Sequence, residues 1–528
     1  MDPSLEPEPL AHRPEADELD AADTLTGNRG TRILAGGVWH ATERFVPQFY
    51  TLAISVVAAR YLGPHDMGRQ SYIAFVSLAL TALLSSSLSI ALIRYVSESI
   101  GRGEPGAVRS LLAWAWRIEG LAAVLGGGAL AAAALLGSTP RNAWFLAGAV
   151  TVAAILQTVP SAILVGLQLF RQSSTIGLTT GILGTAATAA VLADGGGITG
   201  MFAVEVVVGF VNLAWAGVVA QRALARIAPN AAPAGRLKRQ VTRFALGYSA
   251  GIVLELIVAR RSELFFLNKF STNQQIAYFS IAYAVVTGVG QIPSALAAAA
   301  APMFAALHGA GDHDRIRRGF ERARRLLILF TVPLTAAGLA LGPRIIGVIY
   351  GSQYSPTAVP LMILLATYPL RGTTSLADAV AIAYGKLRLP IVTNWIAAAV
   401  DIGLALALIP FLDARGAAIA STVAQLVYSV TVMLYVRRLI GGERFDLRLA
   451  RVVAASAAAG AAGWGCVEAL DGVDGLLLGL VAFVAVFAVS AIALHIIPAI
   501  DAEWIEDAVG ERLGNRARRA VHLFAAAS

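Results

Sequence analysis

The chain has 528 residues, of which 57% are hydrophobic and only 14% charged, with a net charge of +8. A soluble domain carries about 25% charged residues, so this composition excludes an ordinary soluble enzyme or binding domain. The apolar residues come in long runs rather than in alternation, which excludes an outer-membrane barrel and indicates an all-α polytopic membrane protein.

Residues 1–30 hold eight acids and two arginines and no apolar core. They read as a disordered acidic cytoplasmic tail, neither a signal peptide nor a span. Without them, 39 basic residues face 25 acidic ones, a net charge of +14. In a membrane protein such an excess marks the side on which loops lie, and no nucleic-acid partner is expected.

About 20 apolar residues cross the hydrocarbon core. On that ruler fourteen spans fall near 33–59, 71–96, 110–136, 143–168, 174–193, 198–220, 243–267, 275–304, 324–350, 357–383, 389–411, 415–436, 450–470 and 474–498. The last two are divided by the turn-like LDGVDG at 470–475. Counted from the N-terminus, the even loops hold 22 Lys and Arg, including Arg236, Lys238 and Arg239, then Arg315, Arg317 and Arg318. The odd loops hold six: Arg60, Arg69, Arg141, Lys269, Arg344 and Arg415. Lys and Arg accumulate on the cytoplasmic side, which places both termini there. The stretch 502–524 sets Trp504, Ile505, Val509 and Leu513 against Arg512, Arg516, Arg518 and Arg519. It reads as an interfacial amphipathic helix on anionic lipid, or as a frayed basic tail.

The first span raises a question of its own. It carries His40, Glu43 and Arg44 on one turn, with Pro47 just behind. His40, Arg44, Gln48 and Thr51 share one helix face, and Glu43 flanks it. Pro47 leaves the Glu43 carbonyl without its helical partner. A charge at the bilayer centre costs about 2.5–3.5 kcal/mol on insertion scales, so such groups face a bundle interior or a wet cavity. Arg44 is therefore a cavity candidate, against the plainer reading that it snorkels to the headgroups. His40 is a candidate for proton coupling or a hydrogen-bonded anchor.

Further intramembrane charges invite the same weighing. Arg94 either lines the cavity or snorkels. Glu205 lies nearer the outer end of its span, as an interfacial acid. Glu255, Arg260, Arg261 and Glu263 fall in the seventh span, where Arg260 and Glu263 can pair or act as a gate. Asp378, downstream of Pro369 and Arg371, and Asp401, with Asn394 two turns back, are candidate proton or cation sites. The lone Cys466 is packing and allows no disulfide within the chain. No GxxxxGK[ST] loop and no Cys/His cluster are present, so no cofactor or metal is expected, only a proton, Na⁺ or the membrane potential as driving force.

The chain is also written twice. At a shift of 208, SESIGRGEPGAVRSLLAWAWR (97–117) lies over AALHGAGDHDRIRRGFERARR (305–325), and near 216 Gly200 meets Gly416 and Arg222 meets Arg438. Residues 31–225 and 243–440 then form two six-helix lobes as parallel repeats, joined by a basic linker at 226–242. Two extra helices follow at 441–498 and a basic tail at 499–528. Two such lobes are the layout of an alternating-access transporter, with its substrate between them near the midplane.

Four stretches resemble a known family: ARYLGPHDMGRQSYIA (59–74), RSELFFLNKFSTNQQIAYFSIAY (261–283), IYGSQYSPTAVPLMIL (349–364) and LIPFLDARGAAIASTVAQ (408–425). They are similar to Wzx-type polysaccharide flippases, the polysaccharide branch of the multidrug/oligosaccharidyl-lipid/polysaccharide superfamily, with its MATE-like fold. The resemblance implies a bacterial plasma-membrane transporter, not an enzyme. It would flip a polyprenyl-diphosphate-linked oligosaccharide to the outer leaflet through a cavity with cationic groups for the diphosphate. Arg44 would reach that diphosphate, with Glu43 and His40 setting its charge and position. Membrane lipids and other polysaccharide-assembly proteins are the implied partners. Glu263 stands where the family more often has Asp, and helices 13 and 14 exceed its twelve, as in the lipid II flippases, where extra helices form a lipid-facing groove. The rival readings are a drug/cation antiporter of the same fold and a membrane polymerase or ligase. The latter would need a large outer loop, and no odd loop exceeds about a dozen residues.

Overall fold

The computed structural model describes residues 50–227, 230–259, 262–386, 388–441 and 448–496. His40, Glu43, Arg44, Arg260, Arg261 and both tails lie outside the described residues, as does the side chain of Glu255. All the regular structure among the described residues is helical.

Nine helical stretches among the described residues are long and apolar enough to cross a bilayer. The first, α1 (Tyr50–Gly101), runs for 52 residues, more than twice a single crossing. It bends at Gly63, whose φ of +70° no L side chain adopts readily, just before Pro64. It also holds a π-helical turn at Ala82–Ser86. Four single crossings follow, α2 (Pro105–Leu135), α3 (Arg141–Gly166), α4 (Phe170–Ala193) and α5 (Gly197–Ile227). The seventh expected span is made by α6 (Gly235–Ala259) and α7 (Glu263–Phe270) together. Next come α8 (Asn273–Gly309) and α9 (His313–Tyr350). A 3₁₀ turn (Ser352–Thr357) leads into α10 (Ala358–Leu365) and α11 (Tyr368–Ala383), the two halves of the tenth span, broken where Pro369 follows Tyr368. The 52-residue α12 (Arg388–Leu439) is again two crossings, folded at Asp413 with φ +50°. Last are α13 (Arg448–Ala469) and α14 (Gly472–Ala493), and the expected turn between them is made by Gly472 at φ +74°. In order, these helices occupy all fourteen expected spans, the first from Tyr50 onward.

The repeat is legible in backbone hydrogen bonds. After Gly101, Arg102 N–H donates to Glu98, Gly103 to Ile100 and Glu104 to Ser99; 208 residues on, Ala310 donates to Ala306, Gly311 to His308 and Asp312 to Leu307. The left-handed residues match too, Gly103 at φ +75° and Gly311 at +73°. A second pair of ends agrees at a shift of 217: Leu167, Gln168 and Leu169 donate to Ile163, Val165 and Leu164, as Tyr384, Gly385 and Lys386 do to Val380, Ile382 and Ala381. Both are glycine-type helix caps, in which a left-handed residue lets the last carbonyls find partners.

Each lobe has its own core. The first is built on Leu92, Val96, Leu111, Val159 and Ile163; the second on Phe304, Ile316, Phe320, Val380 and Val432. The helix α6, expected to open the second lobe, packs into the first lobe's core. Its Leu237, Val241, Phe244 and Ala245 recur at helical spacing and form one apolar stripe against that core. It also touches α12, so it lies across both lobes. The α13–α14 hairpin closes on Gly463 and Gly479, whose missing side chains let the backbones meet. It docks on α9, where Arg344 donates to the Val467 carbonyl at 2.7 Å and pairs with Asp471 at 3.2 Å.

Candidate functional site

The helices give the molecule a basic end, with the Arg-rich turns at 102–109 and 315–325, and a plain end at the opposite helix termini. At the plain end the lobes are sealed. Tyr354 donates to the Ala59 carbonyl at 2.9 Å, and Arg60 donates to the carbonyls of Ile349, at 2.8 Å, and Val348. Gly68 faces the Asn273 backbone so closely that a Cβ there would lie 1.7 Å from its carbonyl oxygen. Ala58, Ala59 and Met67 of the first lobe join Tyr278, Tyr350 and Tyr354 of the second in one continuous core.

Behind this seam lies a cavity of about 680 Å³ between the lobes. Its walls are Thr51, Ser55, Gln70 and Ser71 of α1, Glu205 of α5, and a stripe of Ser280, Thr287, Gln291 and Ser294 along α8. The α8 residues lie three, four or seven apart, so one helical face carries all four. From α11 comes Arg371. It sits in the first turn after the break at Pro369. Twelve residues separate it from Ala383 at the helix end, ~18 Å at 1.5 Å per residue. That is the middle of a bilayer about 30 Å thick. Among the described residues no acid pairs with Arg371, so its guanidinium is open to whatever fills the cavity.

The sequence had Arg371 only as a neighbour of Asp378. The signal was available: a charge inside an expected span and within three residues of a proline, as Arg44 is of Pro47. Glu205, expected at the interface, lines the cavity instead, because α5 starts at Gly197 and buries its first two turns against the other helices.

The remaining candidates lie elsewhere. Arg94 is exposed, and its guanidinium lies over the rings of Phe244 at 5.0 Å and Tyr95 at 5.4 Å, outside the set that lines the cavity. Asp378 accepts from Tyr428 at 2.9 Å inside the second lobe. Asp401 is 2% exposed and accepts from Ser262 at 3.1 Å through one oxygen only. Glu263 is buried next to Ser262 at the start of α7. These three acids thus belong to the interior of the second lobe and not to the cavity wall.

A second hollow, an apolar groove of about 450 Å³, runs between α9, α11 and α13. Leu339, Ala340, Gly460 and Trp464 line it, with Pro369 at its inner edge. Pro369 is two residues from Arg371, so α11 separates groove from cavity by one helix thickness.

The profile of the polysaccharide biosynthesis protein family matches residues 57–359, more than half of the chain. No curated protein matches the sequence. Among solved structures, the lipid II flippase MurJ in an inward closed conformation is similar with a TM-score of 0.68 at 14% identity, covering 87% of this chain and 98% of its own. A multidrug resistance MATE family transporter of the MOP superfamily, inward-facing, gives 0.62 at 14% identity, covering 77% and 98%. A MOP superfamily transporter from Pyrococcus furiosus, described as having a binding pocket of reverse polarity, gives 0.52 at 14%, covering 75% and 94%. At such identities the likeness establishes the fold, that of MurJ-type flippases and MATE transporters.

Proposed function

The chain belongs to the polysaccharide biosynthesis protein family, and on that premise we propose that it flips a polyprenyl-diphosphate-linked oligosaccharide from the inner to the outer leaflet of a bacterial plasma membrane. The observation that carries this reading is Arg371, a cation without an acidic partner among the described residues, set at mid-membrane depth in a polar cavity between two lobes. A guanidinium fork suits two oxygens of a diphosphate, and a helix broken at the midplane is where transporters of this layout hold their cargo. The polyprenyl tail would lie in the apolar groove beside α13, one helix away from Arg371. Glu205 on the first lobe's wall, in no ion pair among the described residues, offers an acceptor for sugar hydroxyls.

By the distribution of Lys and Arg, the basic end faces the cytoplasm and the sealed plain end faces out. A cavity sealed outside receives its cargo from inside. Rocking of the lobes would then break the plain-end seam and release the glycan. An inside-negative potential favours moving an anionic headgroup outward by about 2.3 kcal/mol per charge per 100 mV. Arg44, with His40 and Glu43, stays a candidate second contact to the diphosphate at the cytoplasmic mouth.

Glu205 also favours a second reading, a drug/cation antiporter, because an acid in the wall would hold a cationic drug. One experiment separates the two. A deletion strain is expected to accumulate a complete oligosaccharide-diphosphate lipid on the cytoplasmic leaflet, and Arg371→Ala is expected not to relieve it. The lost charge-assisted bonds are worth about 1.5–3 kcal/mol, a ten- to hundredfold loss of diphosphate affinity. No accumulation, with new sensitivity to cationic drugs that Glu205→Gln reproduces, would transfer the cavity to the antiporter.

A further inference from the structure

Inside the first lobe, three helices enclose a carboxylate that the cavity does not use. Glu119 stands midway along α2 and is 0% exposed. One turn on, Ala122 and Ala123 pack against Leu84 and Ile155. Beside its carboxyl lie the hydroxyls of Ser85 on α1 and Thr158 on α3. Both hydroxyl protons are committed elsewhere: Ser85 donates to Thr158 Oγ1 at 3.1 Å, and Thr158 donates to the Ile155 carbonyl at 2.7 Å. Among the described residues neither oxygen of Glu119 meets a donor in hydrogen-bonding geometry, the two hydroxyls lying near but turned away. Four oxygens therefore converge, and in this arrangement neither hydroxyl proton is aimed at the carboxylate, which is closed off from solvent. Buried polar groups find partners, and an ionised carboxylate is the least tolerable group to leave without one. A single proton on Glu119 resolves the conflict, because the acid O–H can donate to either hydroxyl oxygen.

Among the described residues no charge on the packed elements answers Glu119 instead, the side chain of Glu255 on α6 lying outside them. Arg117 of the same helix is exposed, and Arg109 lies ten residues away, ~15 Å along α2. On α1, Arg94 rests on Phe244 and Tyr95, Glu98 pairs with Arg102, and Arg69 pairs with Asp66. On α3, Arg141 lies over Phe145. From α6, Ser249 meets Ser87, while Arg236, Lys238, Arg239 and Arg243 fall in its first turns at the basic end.

Two further observations mark this as more than packing. Ser85 belongs to the π-helical turn Ala82–Ser86, a rare element that recurs at functional sites. And the fold does not require the acid: 208 residues on, the counterparts of Glu119 and Ser85 are Leu327 and Pro293, with Leu327 equally buried.

We propose that Glu119 is an occluded proton site of the first lobe, holding a proton shared with Ser85 or Thr158 in this conformation and releasing it when the π turn of α1 rearranges. Its use, to drive the transport cycle, rests on the transport reading above; the site itself does not.

The test takes the full-length protein in lipid nanodiscs, without sodium, and follows its infrared carboxyl bands from acid to alkaline pH. A protonated-carboxyl band is expected to persist at neutral pH, to vanish in Glu119→Gln and to move in Ser85→Ala, where one acceptor is lost. If Glu119→Gln does not fold, the Ser85→Ala shift decides. Identical spectra for wild type and variants at neutral pH would overturn the proposal, since the carboxylate would then be ionised and hydrated. So would discharge of the band by added Na⁺, which would make this a sodium site. No lipid substrate is involved, so failure here leaves the flipping reading standing, and a deletion strain that accumulates nothing leaves this site standing.

Discussion

The two lobes meet in two different ways. At the plain end they interlock: glycine against backbone at Gly68 and Asn273, a buried tyrosine hydroxyl on the Ala59 carbonyl, and an arginine on the last carbonyls of α9. Around the cavity they stand apart, and their facing walls carry hydroxyls, amides, one acid and one guanidinium. The seam has shape and no cargo chemistry. The cavity has cargo chemistry and few contacts that hold it closed. The difference teaches that the balance between conformations and the affinity for cargo are written in separate residues, so mutation should move one without the other.

Gly68→Ala is the sharpest way to break that division. The added Cβ would stand 1.7 Å from the Asn273 oxygen, which belongs to backbone and cannot swing aside. Overpacking of this kind costs about 3 kcal/mol or more, so the seam should stay open most of the time. In a Cys466→Ser background, Ser71→Cys inside the cavity reports this by labelling with an impermeant thiol reagent. Labelling from the plain side should rise well over tenfold, while a diphosphate lipid should bind the cavity unchanged. Unchanged labelling would mean that the seam is not the lock. Tyr354→Phe asks the same question more gently. It keeps the ring but leaves the Ala59 carbonyl buried without its donor, a loss of about 1–3 kcal/mol. Labelling about fivefold faster or more is expected.

How much of this was legible beforehand depends on which physical quantity wrote it. Span positions follow from apolar length, which is local, and so the helices fall where the runs do, down to the turn at Gly472. The repeat was legible because Gly103 and Gly311 perform the same left-handed turn. The allegiance of α6 was not, because an apolar stripe such as Leu237, Val241 and Phe244 says that a face is covered and not by which lobe. The site followed the same rule. Arg371, Glu119 and Arg44 are all charges within apolar runs, yet rotation about a helix axis decides whether such a charge meets the cavity, a sealed pocket or lipid. Sequence fixes depth; tertiary packing fixes azimuth. Asp378 and Asp401 show the consequence: intramembrane depth marked both as candidates, and packing turned both into the second lobe.

The smallest expected effect sharpens the comparison most. Arg60 donates to the carbonyls of Val348 and Ile349, which lie in the last turn of α9 and have no helical partner of their own. A cation there also meets the negative end of the helix dipole. Arg60 thus caps in the second lobe a helix that begins 253 residues later in the chain, from His313. Yet the side chain is exposed, and an exposed interaction of this kind contributes about 0.3–1 kcal/mol and weakens as salt screens it. Arg60→Ala should therefore raise plain-side labelling of Ser71→Cys by less than about fivefold, the equivalent of 1 kcal/mol. Added salt should speed labelling of the wild type and do little to the variant, because the variant has already lost the charge that salt screens. Tyr354→Phe, whose hydrogen bond is buried, should keep its effect in salt. If Arg60→Ala opened the seam as far as Tyr354→Phe does, and equally at high salt, the guanidinium would be acting as a buried bolt and not as an exposed cap.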